Sequence, residues 1–289
     1  METLQKIGST LASGLRLIQA NFKAILLILF VLWLILPSDD EGLRSNNLEK
    51  ITLMGPILDA TGIVEQIDEA RENKDIIGVL FSIDSPGGAV APSVEIAYAI
   101  KRLAQTKPTV VYAAGIMASG GYYSAIWGNE IIANPGSMIG SIGVIMQGAD
   151  ISELMQKVGV KTQVVHAGTY KQVGTFDRPW SKVEREELDK VINGTYSLFV
   201  RDVVRARKLD INKSSEYADA HIFTASQAKQ VGLVDRIGVE YDAKKRVEVL
   251  AKIKDPVWNK EDPMDKFFKK FAAEGATLAH MYFPPITLK

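Results

Sequence analysis

Apolar strand-like stretches alternate with helix-like stretches after residue 47, and this alternation limits the possible folds more than any other feature of the chain. The strand-like stretches are short and mostly aliphatic, whereas the stretches between them carry apolar residues at helical spacing. Strands that alternate with helices in this way indicate an α/β domain with a largely parallel sheet. The pattern predicts strands at 50–57, 76–83, 109–114 and 162–165, helices at 61–72, 92–105, 120–127 and 182–208, and two shorter helices within 225–253.

An unbroken apolar run precedes this pattern, because residues 24–36 read AILLILFVLWLIL. The run is shorter than the roughly 20 residues that a membrane-spanning helix needs, but residues 17–22 can extend it backward. The alternative is a cleaved signal peptide, whose cleavage site needs small residues. The sequence at 35–38, ILPS, does not fit that requirement. We therefore expect one uncleaved transmembrane helix before the α/β domain.

Charged residues flank the apolar run asymmetrically. Basic residues precede it and acidic residues follow it, at Lys6, Arg16 and Lys23 and at Asp39, Asp40 and Glu41. The positive-inside rule then predicts a cytoplasmic N-terminus and an extracytoplasmic location for everything after residue 40. We expect a single-pass protein of the cell membrane, with the lipid bilayer as one of its partners.

The chain divides into five predicted segments. The first four are a cytoplasmic segment, a transmembrane core, a polar linker and the α/β domain, and the last is a tail with an aromatic and basic patch at 266–271. The segments span residues 1–23, 24–37, 38–47, 48–255 and 256–289.

The composition excludes several classes of function. Lys and Arg total 34, as do Asp and Glu, and this balance argues against a nucleic-acid-binding protein. The chain has no cysteine, so a cysteine nucleophile, a thiolate metal site and disulfide bonds are excluded. Histidine is scarce, and the three residues of this type are His166, His221 and His280.

Glycine-rich stretches follow the apolar strands, where ligands bind in open α/β sheets. Ser119, between Ala118 and a pair of glycines, is suited to nucleophilic attack, although an ordinary helix N-cap serine is the alternative. Gly87 and Gly88 can aim backbone N–H groups at an oxyanion, although a plain Pro-Gly turn is the alternative. Neither dinucleotide nor P-loop glycine spacing is present.

Lys171 is the candidate general base, because no histidine lies in a glycine-rich setting. It follows the predicted strand 162–165, and the hydroxyls of Ser119 and Ser141 could orient its amine. A lysine acts as a base only when neutral, and its reference pKa is about 10.4, so such a lysine needs a desolvating site. The alternatives are a solvent-exposed lysine and a Ser-His-Asp triad using His166.

Five segments in this order resemble the signal peptide peptidase A family of the crotonase/Clp-protease superfamily. They are DSPGG at 84–88, ASGGYY at 118–123, GSIGVI at 140–145, GTYK at 168–171 and the stretch 218–235, and the resemblance covers about residues 48 to 240. It implies a crotonase/Clp-protease-like fold. It also implies roles for four kinds of site residue: Ser119 as nucleophile, Lys171 as base, Ser141 as the hydroxyl that supports the lysine, and Gly87 and Gly88 as the oxyanion hole.

The resemblance further implies a membrane-anchored serine endopeptidase that degrades cleaved signal peptides and other hydrophobic peptides, with small residues preferred near the scissile bond. It implies a homo-oligomeric ring with sites near subunit boundaries, and neither a cofactor nor a metal. Departures from the family pattern occur at Gln172, His221 and Ala225. We expect shallow apolar substrate pockets built by Ala89, Val90, Ala113, Ile116 and Met117.

Two other functions stay open from the sequence. A crotonase-type acyl-CoA hydratase or isomerase would share the fold and the oxyanion amides, but it would need neither an anchor nor Ser119 with Lys171. A catalytically inactive membrane scaffold that binds peptides is the second alternative.

Overall fold

The computed structural model describes residues 21–35 and 46–259. Most of the predicted cytoplasmic segment, most of the predicted linker and the aromatic and basic patch of the tail lie outside the described residues. Residues 46–259 form one compact unit. The helix α1, Phe22–Ile35, belongs to a separate unit. Among the described residues, no helix combines the length and the apolarity needed to cross a membrane.

A seven-stranded, mostly parallel sheet forms the centre of the compact unit, as the alternation of strands and helices predicts. Five strands run parallel in the order β1, β2, β3, β4, β7, while β5 pairs in parallel with the end of β3 and antiparallel with β6. The strands are β1 Leu48–Met54, β2 Gly78–Ser85, β3 Thr109–Ala118, β4 Glu130–Ala133, β5 Met138–Gly140, β6 Ile222–Thr224 and β7 Arg236–Ile237.

Helices cover both faces of the sheet. The helices of this unit are α2 Thr61–Glu72, α3 Val90–Ala104, α4 Gly120–Ala125, α5 Ser152–Lys157, α6 Lys182–Arg207, α7 Ser214–Tyr217, α8 Ala225–Gln230 and α9 Glu240–Leu250, of which α5 has no buried residue. On β2, Phe81 and its alternate neighbours point into the larger core, whereas Leu80 joins a smaller cluster with Ala243 and Val247 of α9. Burial on both faces explains why the central strands are almost wholly apolar.

The far end of β3 diverges from its neighbours and creates the edge where the site lies. Residues 110–113 pair with β4, whereas residues 116–118 pair with β5. The register between β2 and β3 shifts at this point, and the Asp84 carboxylate accepts a 2.8 Å hydrogen bond from the Ile116 N–H. The bulge therefore directs the last residues of β3 towards β5.

The short strands β4 to β7 and the helix α5 were not predicted, and two other segments differ from their predicted structure. Residues 162–165 form no strand, and Val164 and Val165 are exposed, because no strand within residues 46–259 lies alongside to pair with them. Residues 257–259, predicted to lie in the tail, run along β1, where the Asn47 and Leu48 N–H groups donate to the Val257 carbonyl.

Candidate active site

Ser119 lies at the junction of β3 and α4 in a strained backbone conformation. Its φ of 50° and ψ of −122° are rare for a residue with a side chain. The Ser119 N–H donates to the Gly140 carbonyl over 2.8 Å, which ties the turn to β5. Strain of this kind persists where surrounding structure holds it, and it concentrates at functional sites. Ser119 lines a cavity of about 630 Å³.

The Gly87-Gly88 turn packs directly against the Ser119 turn. Gly87 has a φ of +95°, and a Cβ at this position would lie 2.6 Å from the Gly120 nitrogen and 2.9 Å from the Ser119 Cβ. A Cβ at Gly88 would lie 2.1 Å from the Ile57 carbonyl oxygen. Both positions therefore require glycine, and both line the cavity that contains Ser119.

The two glycine amides of this turn point in different directions. The Ile57 N–H donates to the Gly87 carbonyl, and the Ile57 carbonyl accepts from the Ala89 N–H. In this parallel pairing the Gly88 N–H, which lies between them, faces away from Ile57. The Gly87 N–H donates to Ser85 Oγ over 3.1 Å. The Gly120 N–H opens α4, and the first N–H groups of a helix have no intrahelical partner. Gly88 and Gly120 thus offer backbone donors beside the Ser119 turn.

Ser141 follows β5 and lines the same cavity. It also has a positive φ, 48°, and its N–H donates to the His221 carbonyl over 2.7 Å. Because β3 and β5 pair through Ala118 and Gly140, Ser119 and Ser141 leave neighbouring strand ends side by side.

Lys171 lies apart from these residues within the chain. It is exposed, and it is not among the residues that line the cavity. Its turn is attached to α6 through Gln172, whose side-chain oxygen accepts a 3.3 Å hydrogen bond from Arg178. Arg178 also donates to both carboxylate oxygens of Glu184, over 2.7 and 2.8 Å, and this contact holds the pKa of Glu184 down at about 2.

The histidines of the described segments lie outside the cavity. His166 and His221 are both exposed, and neither lines it. His166 Nδ1 lies 3.3 Å from the Gly168 carbonyl of its own loop. The third histidine, His280, lies outside the described residues.

The residues predicted to form substrate pockets occupy different environments. Val90 lines the cavity, and Ala89 is exposed beside it at the start of α3. Ile116 is partly buried on β3. Ala113 and Met117 are fully buried in the main core, and the cavity lining does not include them.

Sequence reasoning missed one wall of the cavity, which α6 provides. Ile192, Tyr196 and Phe199 line it, and their spacing of four and three residues along the helix was the available signal. Tyr123 also lines the cavity, and its hydroxyl donates a 2.5 Å hydrogen bond to Asp202, which is 2% exposed. Burial and the Asp202 carboxylate raise the pKa of Tyr123, so its hydroxyl stays protonated and fixed.

Comparisons with known proteins identify the family of this chain. Residues 101–254, more than half of the chain, match the model described as Peptidase family S49. The chain is 40% identical over 198 residues to "Putative protease MJ0651" of Methanocaldococcus jannaschii, covering 68% of this chain and 64% of that protein. It is 31% identical over 221 residues to "Putative signal peptide peptidase SppA" of Enterococcus faecium, covering 71% and 63%. The chain thus spans less than two thirds of the length of these relatives.

Proposed function

This chain belongs to peptidase family S49, and we propose on that premise that it is a serine endopeptidase whose nucleophile is Ser119. The observation that carries the proposal is the strained Ser119 turn, packed against the Gly87-Gly88 turn and open to a cavity of about 630 Å³. A partly exposed serine hydroxyl on a rigidly held backbone turn, beside unengaged backbone amides, is what acyl transfer requires.

The proposed oxyanion hole consists of the Gly88 and Gly120 N–H groups. A Cβ on Gly120 would lie 3.3 Å from the Gly88 nitrogen, so the two amides border the same small space beside Ser119. Preorganised donors of this kind stabilise the tetrahedral intermediate without rearranging during the reaction. Gly87 shapes the turn, since its own N–H is engaged by Ser85.

We propose Lys171 as the general base, with Ser141 as the hydroxyl that orients its amine. Among the described residues that line the cavity there is no lysine and no histidine. A neighbouring copy in a homo-oligomeric ring would therefore supply Lys171. The exposed apolar side chains of its segment, such as Ile145, Val165 and Phe176, are consistent with burial against another copy.

The proposed substrates are cleaved signal peptides and other hydrophobic peptides with small residues near the scissile bond. The cavity lining is largely apolar, with Val90, Val94, Ile192 and Phe199 among its members. A membrane anchor formed by the apolar run at 24–36 would hold the site close to such substrates. We place the catalytic unit on the extracytoplasmic side, from the charges that flank this run.

The test is labelling by a serine-directed fluorophosphonate together with hydrolysis of an apolar peptide. The wild-type chain should be labelled and active, and Ser119→Ala should lose both properties. Ser226→Ala, which removes an exposed serine from α8, is the matched control and should behave like the wild type. Labelling that persists in folded Ser119→Ala would refute the assignment of the nucleophile.

A further inference from the structure

The cavity beside Ser119 contains a single charged side chain among the described residues that line it. Its other members are aliphatic, aromatic, glycine or neutral polar residues. The exception is Asp219, in the connection between α7 and β6. The wall that one chain provides to a bound peptide is therefore uncharged apart from one carboxylate.

The backbone around Asp219 is held in place. Asp219 and Ala220 both have left-handed conformations, with φ values of 60° and 58°. The Asp219 N–H donates to the Tyr196 hydroxyl over 3.1 Å, and the Ala220 N–H donates to the Ile142 carbonyl over 3.0 Å. Two successive left-handed residues with side chains persist only when their surroundings fix them. The backbone that carries this carboxylate thus has a defined position on the cavity wall.

The Asp219 carboxylate has no cationic partner within residues 46–259. None of the ion pairs or side-chain hydrogen bonds in this unit uses its oxygens. Asp235, by contrast, pairs with Arg207 over 2.7 Å. The Asp219 side chain is exposed on a fixed backbone turn beside the cavity, so its carboxylate is available to a cation on a bound ligand.

We infer that Asp219 is a specificity-determining residue that recognises a lysine or arginine side chain of an otherwise apolar peptide. This inference rests on the proposed peptidase function and narrows its substrate class. Signal peptides carry a basic segment followed by an apolar one, so their remnants present both features to this cavity. Asp219 would then favour them over apolar peptides that carry no positive charge.

The test uses the full chain in detergent and quenched apolar peptides that differ at one position. Lysine, norleucine or glutamate is placed in turn at each position on either side of the scissile bond. At one position the wild type should cleave the lysine peptide about threefold to tenfold faster than the norleucine peptide, mostly through KM. Added salt should reduce this ratio, because the ion pair is partly exposed.

Asp219→Asn should bring the lysine-to-norleucine ratio close to one, and Asp219→Lys should shift the preference to glutamate. Asparagine tolerates the left-handed conformation, so this variant should fold. Asp75→Asn, which neutralises an exposed aspartate before β2 at the opposite end of the sheet, should keep the wild-type ratio.

An enzyme that is labelled at Ser119 and cleaves these peptides without any lysine preference would overturn the role of Asp219 alone. The same holds if Asp219→Asn retains the preference. A wild-type chain that is neither labelled nor active would overturn both the peptidase function and this inference.

Discussion

Gly88 is the residue whose replacement tests the oxyanion hole most directly. A Cβ at this position would lie 2.1 Å from the Ile57 carbonyl oxygen, so Gly88→Ala must move the backbone that carries the Gly88 N–H. We expect kcat to fall about 10²- to 10³-fold, as for other losses of an oxyanion donor. Peptide hydrolysis measures the effect, and circular dichroism checks the fold.

Gly62→Ala is the matched control for this change. A Cβ at Gly62 in α2 meets no atom within 4 Å, so this variant should keep wild-type activity. A folded Gly88→Ala protein with wild-type kcat would contradict the assignment of the Gly88 N–H.

At the scale of single residues, the sequence predicts which residue carries the reactive group better than it predicts where a backbone N–H group points. The position of Ser119 between Ala118 and two glycines indicates an accessible hydroxyl, and the residue does line the cavity. The roles of the Gly87 and Gly88 amides depend on which of them pairs with Ile57 and which faces Ser119. That depends on a contact with a segment about 30 residues earlier in the chain, which local spacing does not encode.

The start of α6 contains an ion pair that should make stability depend on pH. The hydrogen bonds from Arg178 hold the pKa of Glu184 at about 2, below its ordinary value of 4.5. A depressed carboxylate pKa stabilises the fold above the unfolded-state value, and the contribution is lost as the pH falls through the folded-state value. Glu184→Gln should therefore lower Tm relative to wild type at pH 6, and the difference should shrink between about pH 4.5 and 2.

A double-mutant cycle provides the control for this prediction. In an Arg178→Ala background, Glu184→Gln should show much less of this pH-dependent difference, because the main partner of the carboxylate is gone. Thermal unfolding followed by circular dichroism measures all four proteins. An equal Tm difference at pH 6 and pH 2 would contradict the role of the ion pair.

At the scale of elements, strands with neighbours on both sides are predictable and isolated ones are not. The stretch at 76–83 is almost wholly apolar because β2 is buried on both faces, and the ends of β2 lie two residues from the predicted ends. The stretch at 162–165, TQVV, ends in two β-branched residues, but within the described unit it has no neighbouring strand and forms no strand. The sequence did not predict that α6 lines the cavity. Helical periodicity shows which face of a helix is apolar, but it does not show which part of the fold that face contacts.

At the scale of the whole molecule, the separation of Lys171 from the Ser119 cavity predicts complementation between inactive chains. Ser119→Ala and Lys171→Ala should each lose at least about 10²-fold in rate when expressed alone. If a neighbouring copy supplies Lys171, co-expressed chains should assemble mixed rings in which about a quarter of the sites combine an intact serine with an intact lysine. Peptide hydrolysis by the purified mixture should then recover to a similar fraction of wild type.

Two observations would contradict this arrangement. One is a mixture that stays as inactive as either parent, with light scattering confirming mixed assembly. The other is a chain starting near residue 45 that is an active monomer, since we expect this soluble form to be oligomeric.

The orientation in the membrane can be tested with unusual clarity because the chain contains no cysteine. Ser9→Cys introduces one thiol before the apolar run, and Ser226→Cys introduces one on the exposed surface of α8. The basic residues before residue 24 and the acidic residues after residue 38 predict opposite sides for these two positions. In intact spheroplasts, a membrane-impermeant maleimide should label Ser226→Cys and leave Ser9→Cys unlabelled until the membrane is permeabilised. The unsubstituted chain gives the background in both conditions. Labelling of Ser9→Cys alone from outside would reverse the topology and would place Ser119 on the cytoplasmic side.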